Sequence, residues 1–318
     1  MVAPLTSVLE RFGRDLLPPI PGRYVIAPAL RAVVLAGIAE RTGRSILAVV
    51  PGEREAEDLA EDVSLFSPES HYLPAWETLP FEHVSPSLTT MADRIVARHA
   101  LSDPAATIVV SSVRAAIQRL SPTPVAPLHL ACGVETPFDD VVAGLADLGY
   151  RRTDRVEGKG EFAVRGGIVD VYPTQASGPV RIDFWGDEVE EIRPFLISTQ
   201  RSEGSISGVD VYPAGEVMIS DEMRSRALEL MVEEPWGSAT WERIAEGIRF
   251  PGLESWLPWF ASRKTILDET DAIVVLCDPE RSRERCRDLI SEEADLAEAL
   301  SGTWGKGAPD SGSHPPLY

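Results

Sequence analysis

Three stretches carry residues whose types and spacing could do chemistry. Gly37–Ser45, GIAERTGRS, approaches the GxxxxGK[ST] loop in which backbone amides and a lysine cradle phosphates. It is one residue too long between its glycines, has Arg44 in place of the lysine, and precedes an apolar run where a phosphate loop would follow one. The position for such a loop, after the run Arg23–Ile26, holds Ala27-Pro28-Ala29, with no glycine to let backbone approach an anion. Asp271–Glu280, DAIVVLCDPE, has the form of an apolar strand ending in acids, the arrangement that holds magnesium in ATPases. With no phosphate loop to complete such a site, Asp278 and Glu280 fit better as the cap and acidic first turn of a helix that starts at Pro279.

The third stretch is Val180–Trp185, VRIDFW. Its alternation puts Val180, Ile182 and Phe184 on one face of a strand, leaving Arg181, Asp183 and Trp185 on the other. Upstream, Phe162 and Val164 are expected to face the core, with Glu161, Ala163 and Arg165 facing out. A sheet built this way presents two arginines and a tryptophan to solvent. Trp and Arg are enriched at interface hot spots because they bury large area and keep a polar handle. Periodicity alone leaves a second reading open, in which Trp185 is covered by a neighbouring domain and the arginines pair with Asp183 or Asp187.

Other catalytic or metal-binding groupings are missing. His71, His83, His99, His129 and His314 lie far apart, and Cys132, Cys277 and Cys286 form no CxxC pair. There is no GxSxG or HExxH motif. No catalytic, cofactor-binding or metal-ligating residue is therefore expected. The 318 residues carry 30 Lys+Arg against 50 Asp+Glu, a net charge of -20. Such an acidic chain is a poor candidate for gripping phosphates, which supply most non-specific nucleic-acid affinity. Roughly half of the net negative charge lies in residues 201–300, whereas 151–195 is nearly balanced, which favours a protein partner for the sheet. Scattered cysteines, no secretory start and no long apolar run point to a soluble cytoplasmic chain without membrane contact.

The elements that must position these residues differ along the chain. Up to about residue 120, apolar runs at Arg23–Ile26, Ile46–Val50 and Thr107–Val110 alternate with helices at Leu30–Glu40 and Glu53–Phe66, predicting a parallel α/β domain. Pro74–Ser87 is too rich in proline and aromatics for a helix and is expected to be extended. Residues 121–200 give a helix near Asp139–Leu148, then short runs at Phe162–Val164, Ile168–Tyr172, Val180–Trp185 and Val189–Pro194. Gly-Gly at 166–167, Ser-Gly-Pro at 177–179 and Gly-Asp at 186–187 separate those runs, so a small α+β domain with an antiparallel meander is expected. Residues 201–300 read as a mainly helical third domain, with helices at Asp221–Glu233, Thr240–Gly247 and Leu253–Phe260, a strand at Asp271–Cys277 and a helix to about Leu300. Residues 301–318 read as a flexible tail.

Taken together, Ala75–Ser87 with Arg94, Gly149–Pro173, Val180–Phe195 and Ser198–Ser202 resemble the N-terminal region of the bacterial transcription-repair coupling factors. The order and spacing of these segments hold over nearly the whole chain. That region is itself similar to the excision-repair protein UvrB, from which this chain departs by lacking an intact phosphate loop and a long aromatic hairpin. The resemblance implies a degenerate P-loop, helicase-like α/β domain, a small UvrA-binding domain and a helical third domain. It assigns the UvrA contact to Arg165, Arg181 and Trp185. It further implies that an RNA-polymerase-binding domain and ATP- and magnesium-dependent DNA translocase modules lie beyond this chain, and that another domain of the full-length protein covers the UvrA-binding surface until translocation. On this reading the chain recruits UvrA and is not itself an enzyme. The rival readings are a UvrB-like or helicase-type enzyme that binds ATP and DNA, and an intramolecular scaffold.

Overall fold

The computed structural model describes residues 17–79, 82–122, 126–300 and 315–318, which divide into two compact units. One takes in 17–85, 97–122 and 221–318, less the undescribed residues, and the other takes in 86–96 and 126–220. The division expected at 120 and 200 is not the one these units follow. Residues 201–220 fall with the second unit and 221–300 with the first, because strands late in the chain pair with strands far upstream.

The first unit is built on a parallel sheet. Helix α1 (Arg31–Thr42) leads to β1 (Ile46–Val50), α2 (Glu53–Ser64) and β2 (His71–Leu73). Helix α3 (Leu88–Ser102), which falls with this unit only from Ala97 onward, β3 (Ile108–Ser112) and α4 (Val113–Ile117) follow. After the second unit come α6 (Asp221–Glu233), α7 (Ser238–Ala245), α8 (Ile266–Glu269), β11 (Ile273–Leu276) and α9 (Pro279–Leu300). Strand order is β11-β1-β3-β2, with every pair parallel. All five residues of β1 and of β3 are buried, the pattern of strands covered on both faces. Ile46, Ala48, Ile108 and Val110 pack on one side against Leu35, Ile38, Leu59 and Val63 of α1 and α2. Leu47, Val49 and Val109 pack on the other against Ala97, Leu101, Ala116 and Leu289.

Several sequence expectations change in this unit. The run Arg23–Ile26 is not a strand; it is irregular, with Val25 and Tyr24 exposed. Pro18, Pro19, Pro21 and Pro28 remove ladder donors around it, so a continuous strand has little to pair with. The run 273–276, placed beforehand in a separate helical domain, instead extends the first sheet as a neighbour of β1. Of the expected tail, 301–314 lies outside the described residues. At 315–318 the chain is packed: Leu317 is buried, its carbonyl accepts from the Arg119 amide at 2.9 Å, and the Tyr318 amide donates to Glu293 at 3.2 Å.

Helices α6 and α7 lead into a tryptophan-rich core. Trp241 and Trp256 meet edge-to-face at 4.8 Å, while Trp236 stacks on Trp256 at 5.8 Å and Trp259 closes the group. The turn Leu253–Trp259 contains Pro258 and is wound as a 3-10 helix, where an α-helix was expected. Pro258 has no amide hydrogen for the ladder of a longer helix. His83 lies against Trp256 at 5.9 Å, and burial lowers its pKa below the ordinary 6.5.

The second unit carries β4 (Leu128–Ala131), α5 (Phe138–Asp147), the short β5 (Arg151–Arg152), and β6 (Glu161–Arg165), β7 (Ile168–Val171), β8 (Val180–Trp185), β9 (Glu188–Pro194) and β10 (Gly208–Val211). Strands β5 to β9 form one sheet in sequence order, β5 parallel to β6 and the rest antiparallel, while β10 pairs with β4. The meander expected from the turn residues is present. Gly166 and Gly186, at φ 60° and 65°, open the two-residue turns after β6 and β8, a backbone state open to glycine without strain. Phe162, Val169, Val171, Ile182 and Ile192 form the core with Val141 and Leu145 of α5. Within this unit Arg94 of α3 reaches Glu216 at 2.7 Å with both side chains buried. Among the described residues no helix is long and apolar enough to cross a membrane.

Candidate partner-binding surface

Hairpin geometry decides which residues share the outer face of the β5–β9 sheet. Register pairs Ala163 with Asp170, Asp170 with Arg181 and Arg181 with Arg193, giving one row across four strands. The next row is Arg165, Ile168, Asp183 and Glu191. Beyond it, Trp185 pairs with Glu188, and Glu188 bridges to Glu135. Strands β6 and β8 run in the same direction, and each ends in a two-residue turn. Arg165 and Trp185 are therefore the last residues before neighbouring turns at one end of the sheet. Arg181 lies a row further in.

The three residues differ sharply in their freedom. Trp185 is 77% exposed, far more than any other tryptophan among the described residues. Arg165 is exposed and donates from Nη2 to the Asp154 carbonyl at 2.7 Å, which keeps its charge uncompensated. Arg181 is held inside the sheet: Nε and Nη2 donate to the two oxygens of buried Asp170 at 2.7 and 2.8 Å. Its guanidinium also lies 5.0 Å from the centre of the Phe195 ring. The Asp170 hydrogen bonds push the Arg181 pKa further up, so this group is a fixed cation already paired. The arginine pairing anticipated with Asp183 or Asp187 is made by Arg193, which donates to Asp183 and lies 3.3 Å from Glu191.

The inward set Val180, Ile182 and Phe184 is buried, and the alternation through Trp185 holds. On β6, Ala163 was expected outward but is 1% exposed. A second small cluster of Val156, Phe195 and half-buried Tyr172 covers it, so part of the outer face is closed by the chain returning over it. Sequence reasoning also missed Asp170, the anchor of Arg181, because the long β7–β8 connection hides the register. It missed Glu188, Glu190 and Glu135 as well. The register shift between Asp183 and Phe184 leaves Glu190 as an extra residue on β9, so both Glu190 and Glu191 lie between inward-facing Val189 and Ile192.

No group of three or more His, Cys, Asp or Glu among the described residues could hold a metal. In the first unit, the C-terminal end of the parallel sheet is occupied by the chain's own ion pairs. Arg31, the first residue of α1, meets Asp278 at 2.8 Å, Arg281 makes a two-point contact with Glu55, and Arg23 pairs with Glu280.

Residues 128–216 match the family model described as the UvrB interaction domain, a span that includes every strand carrying this surface. The transcription-repair-coupling factor of Mycobacterium bovis is 37% identical over 299 residues, covering 86% of this chain and 24% of that protein. The Myxococcus xanthus protein of the same name is 31% identical over 301 residues, covering 83% and 24%. That of Escherichia coli is 26% identical over 239 residues, covering 73% and 21%. This chain belongs with the transcription-repair-coupling factors. It spans about a quarter of the length of these curated relatives. Within the part they share, the most exposed tryptophan described lies inside the UvrB interaction domain.

Proposed function

We propose that this chain is the UvrA-recruiting part of a transcription-repair-coupling factor, and that it docks UvrA through the turn end of the β5–β9 sheet. The observation that carries the reading is the position of Trp185, 77% exposed at the same end of the sheet of the UvrB interaction domain as exposed Arg165, two strands away. An indole of that exposure gains most when a partner removes it from water. Arg165 supplies a charge-assisted donor at the same end of the sheet, two strands from the indole. Arg181 contributes by bracing β7 against β8, so that the Trp185 strand is held in place. In a longer protein another domain covers the same surface, and two partners competing for it make recruitment switchable. RNA polymerase, DNA, and ATP with magnesium belong to the parts of the relatives outside this chain.

The test is calorimetry of the chain with purified UvrA. Arg165→Ala combined with Trp185→Ala is expected to weaken binding by about 2 kcal/mol or more, roughly thirtyfold. Unchanged affinity in that variant overturns the assignment. The rival reading, a helicase-type nucleotide enzyme, has little support here: the Ala27–Leu30 turn offers no glycine, and Arg31 is engaged by Asp278. ATP hydrolysis by the isolated chain would restore that rival.

A further inference from the structure

The charge on the outer face of the β5–β9 sheet is divided, and the division specifies what meets Trp185. Most of its charges cancel internally: Asp170 is taken up by Arg181, and Asp183 and Glu191 by Arg193. Two groups of charge have no ion-pair partner among the described residues. Arg165 is one, at the β6 turn. The other is the pair Glu188 and Glu135, both exposed, which continue the row of Trp185 across β9 to the segment beyond it. The β9 bulge adds a third exposed carboxylate, Glu190. The indole therefore sits at the edge of a carboxylate row, and Arg165 lies on the strand beyond the next.

We infer that the partner seats an arginine on Trp185, its guanidinium stacked on the indole and hydrogen-bonded to the carboxylates of Glu188 and Glu135. A guanidinium is planar, weakly hydrated and forked, so it can stack on an aromatic face while donating sideways to carboxylates. An apolar or acidic partner group would leave the two glutamates desolvated without a counter-charge, which is costly. The inference rests on the docking reading above and reverses the sign of its main polar contact: near Trp185 this chain supplies the acids and the partner the base.

Calorimetry and stopped-flow association with UvrA, at low and physiological salt, separate the two claims. Glu188→Gln with Glu135→Gln is expected to weaken binding about tenfold, slow association and flatten its salt dependence, as loss of complementary charge does. Trp185→Phe should keep part of the affinity and Trp185→Leu should lose it, because only an aromatic face holds a cation. If the glutamate pair can be neutralised without effect and Leu serves as well as Phe, while Trp185→Ala with Arg165→Ala still weakens binding, the arginine seat is wrong and the docking surface stands. If that last variant binds UvrA normally, both are wrong.

Discussion

At the scale of the residue, the informative contrast is between two arginines that sequence alone treats alike. Arg165 and Arg181 both alternate outward, yet Arg181 is already paired with buried Asp170 whereas Arg165 donates to a backbone carbonyl. Asp170 is 3% exposed, and removing its counter-ion leaves a buried carboxylate half-satisfied. Arg181→Ala is therefore expected to destabilise the chain by about 2–3 kcal/mol in urea unfolding, the cost of breaking a charged, largely buried pair. Arg165→Ala should stay within about 0.5 kcal/mol of the parent, as surface changes do. A loss of UvrA affinity in Arg181→Ala that disappears in Arg181→Ala with Asp170→Asn would mark Arg181 as a positioning residue. A loss that persists in the double variant would make it a direct contact.

Histidines provide a second residue-level test. Burial lowers the pKa of His71 and His83 below 6.5, so the folded chain holds fewer protons than the unfolded one as pH falls through that value. Stability supplied by the neutral rings is present above about pH 6.5 and is lost as acid protonates the unfolded chain first. Urea midpoints should drop between pH 7.5 and 5.5, and His71→Gln with His83→Gln should flatten that drop. An unchanged slope in the double variant would remove these histidines as its source.

At the scale of the element, legibility tracked the range of the pairing involved. The β8 alternation and the turns at 166–167 and 186–187 rest on neighbours in sequence, and they can be read from VRIDFW and its flanking glycines. Arg165 and Trp185 follow as a pair from those same turns, each closing a strand that enters one. What could not be read was long-range. Strand β11 pairs with β1 across more than two hundred residues, and β10 finds β4 across the whole meander. Nothing local in IVVL or GVDV names those partners. The β9 bulge was hidden for a different reason: Val189, Glu190, Glu191 and Ile192 break the two-residue period, and a broken period says only that alternation fails. Helix α3 carries another element-level prediction through Arg94, whose side chain and that of Glu216 are 1% and 4% exposed. Glu216→Ala removes the carboxylate paired with a buried guanidinium and is expected to cost about 3 kcal/mol or more. An effect under about 1 kcal/mol would show that relaxation or water recovers the charge.

At the scale of the whole molecule, a net charge of -20 is expected to make the chain a weak ligand for nucleic acid. Anisotropy with a duplex oligonucleotide at physiological salt should give no saturable binding at micromolar protein, and tight binding would refute that expectation. The two compact units each have a core of their own, and all strands of the β5–β9 sheet belong to one of them.

The tryptophans have an optical consequence. Trp76, Trp241 and Trp256 are buried, and Trp236 and Trp259 are packed with the last two, whereas Trp185 stands in water. Emission from Trp185 should lie at the red edge of the spectrum and, among the described tryptophans, be the component most open to acrylamide. Docking at the turn end of the sheet would then register as a blue shift and a loss of quenching, with no label attached, and Trp185→Phe would silence the signal.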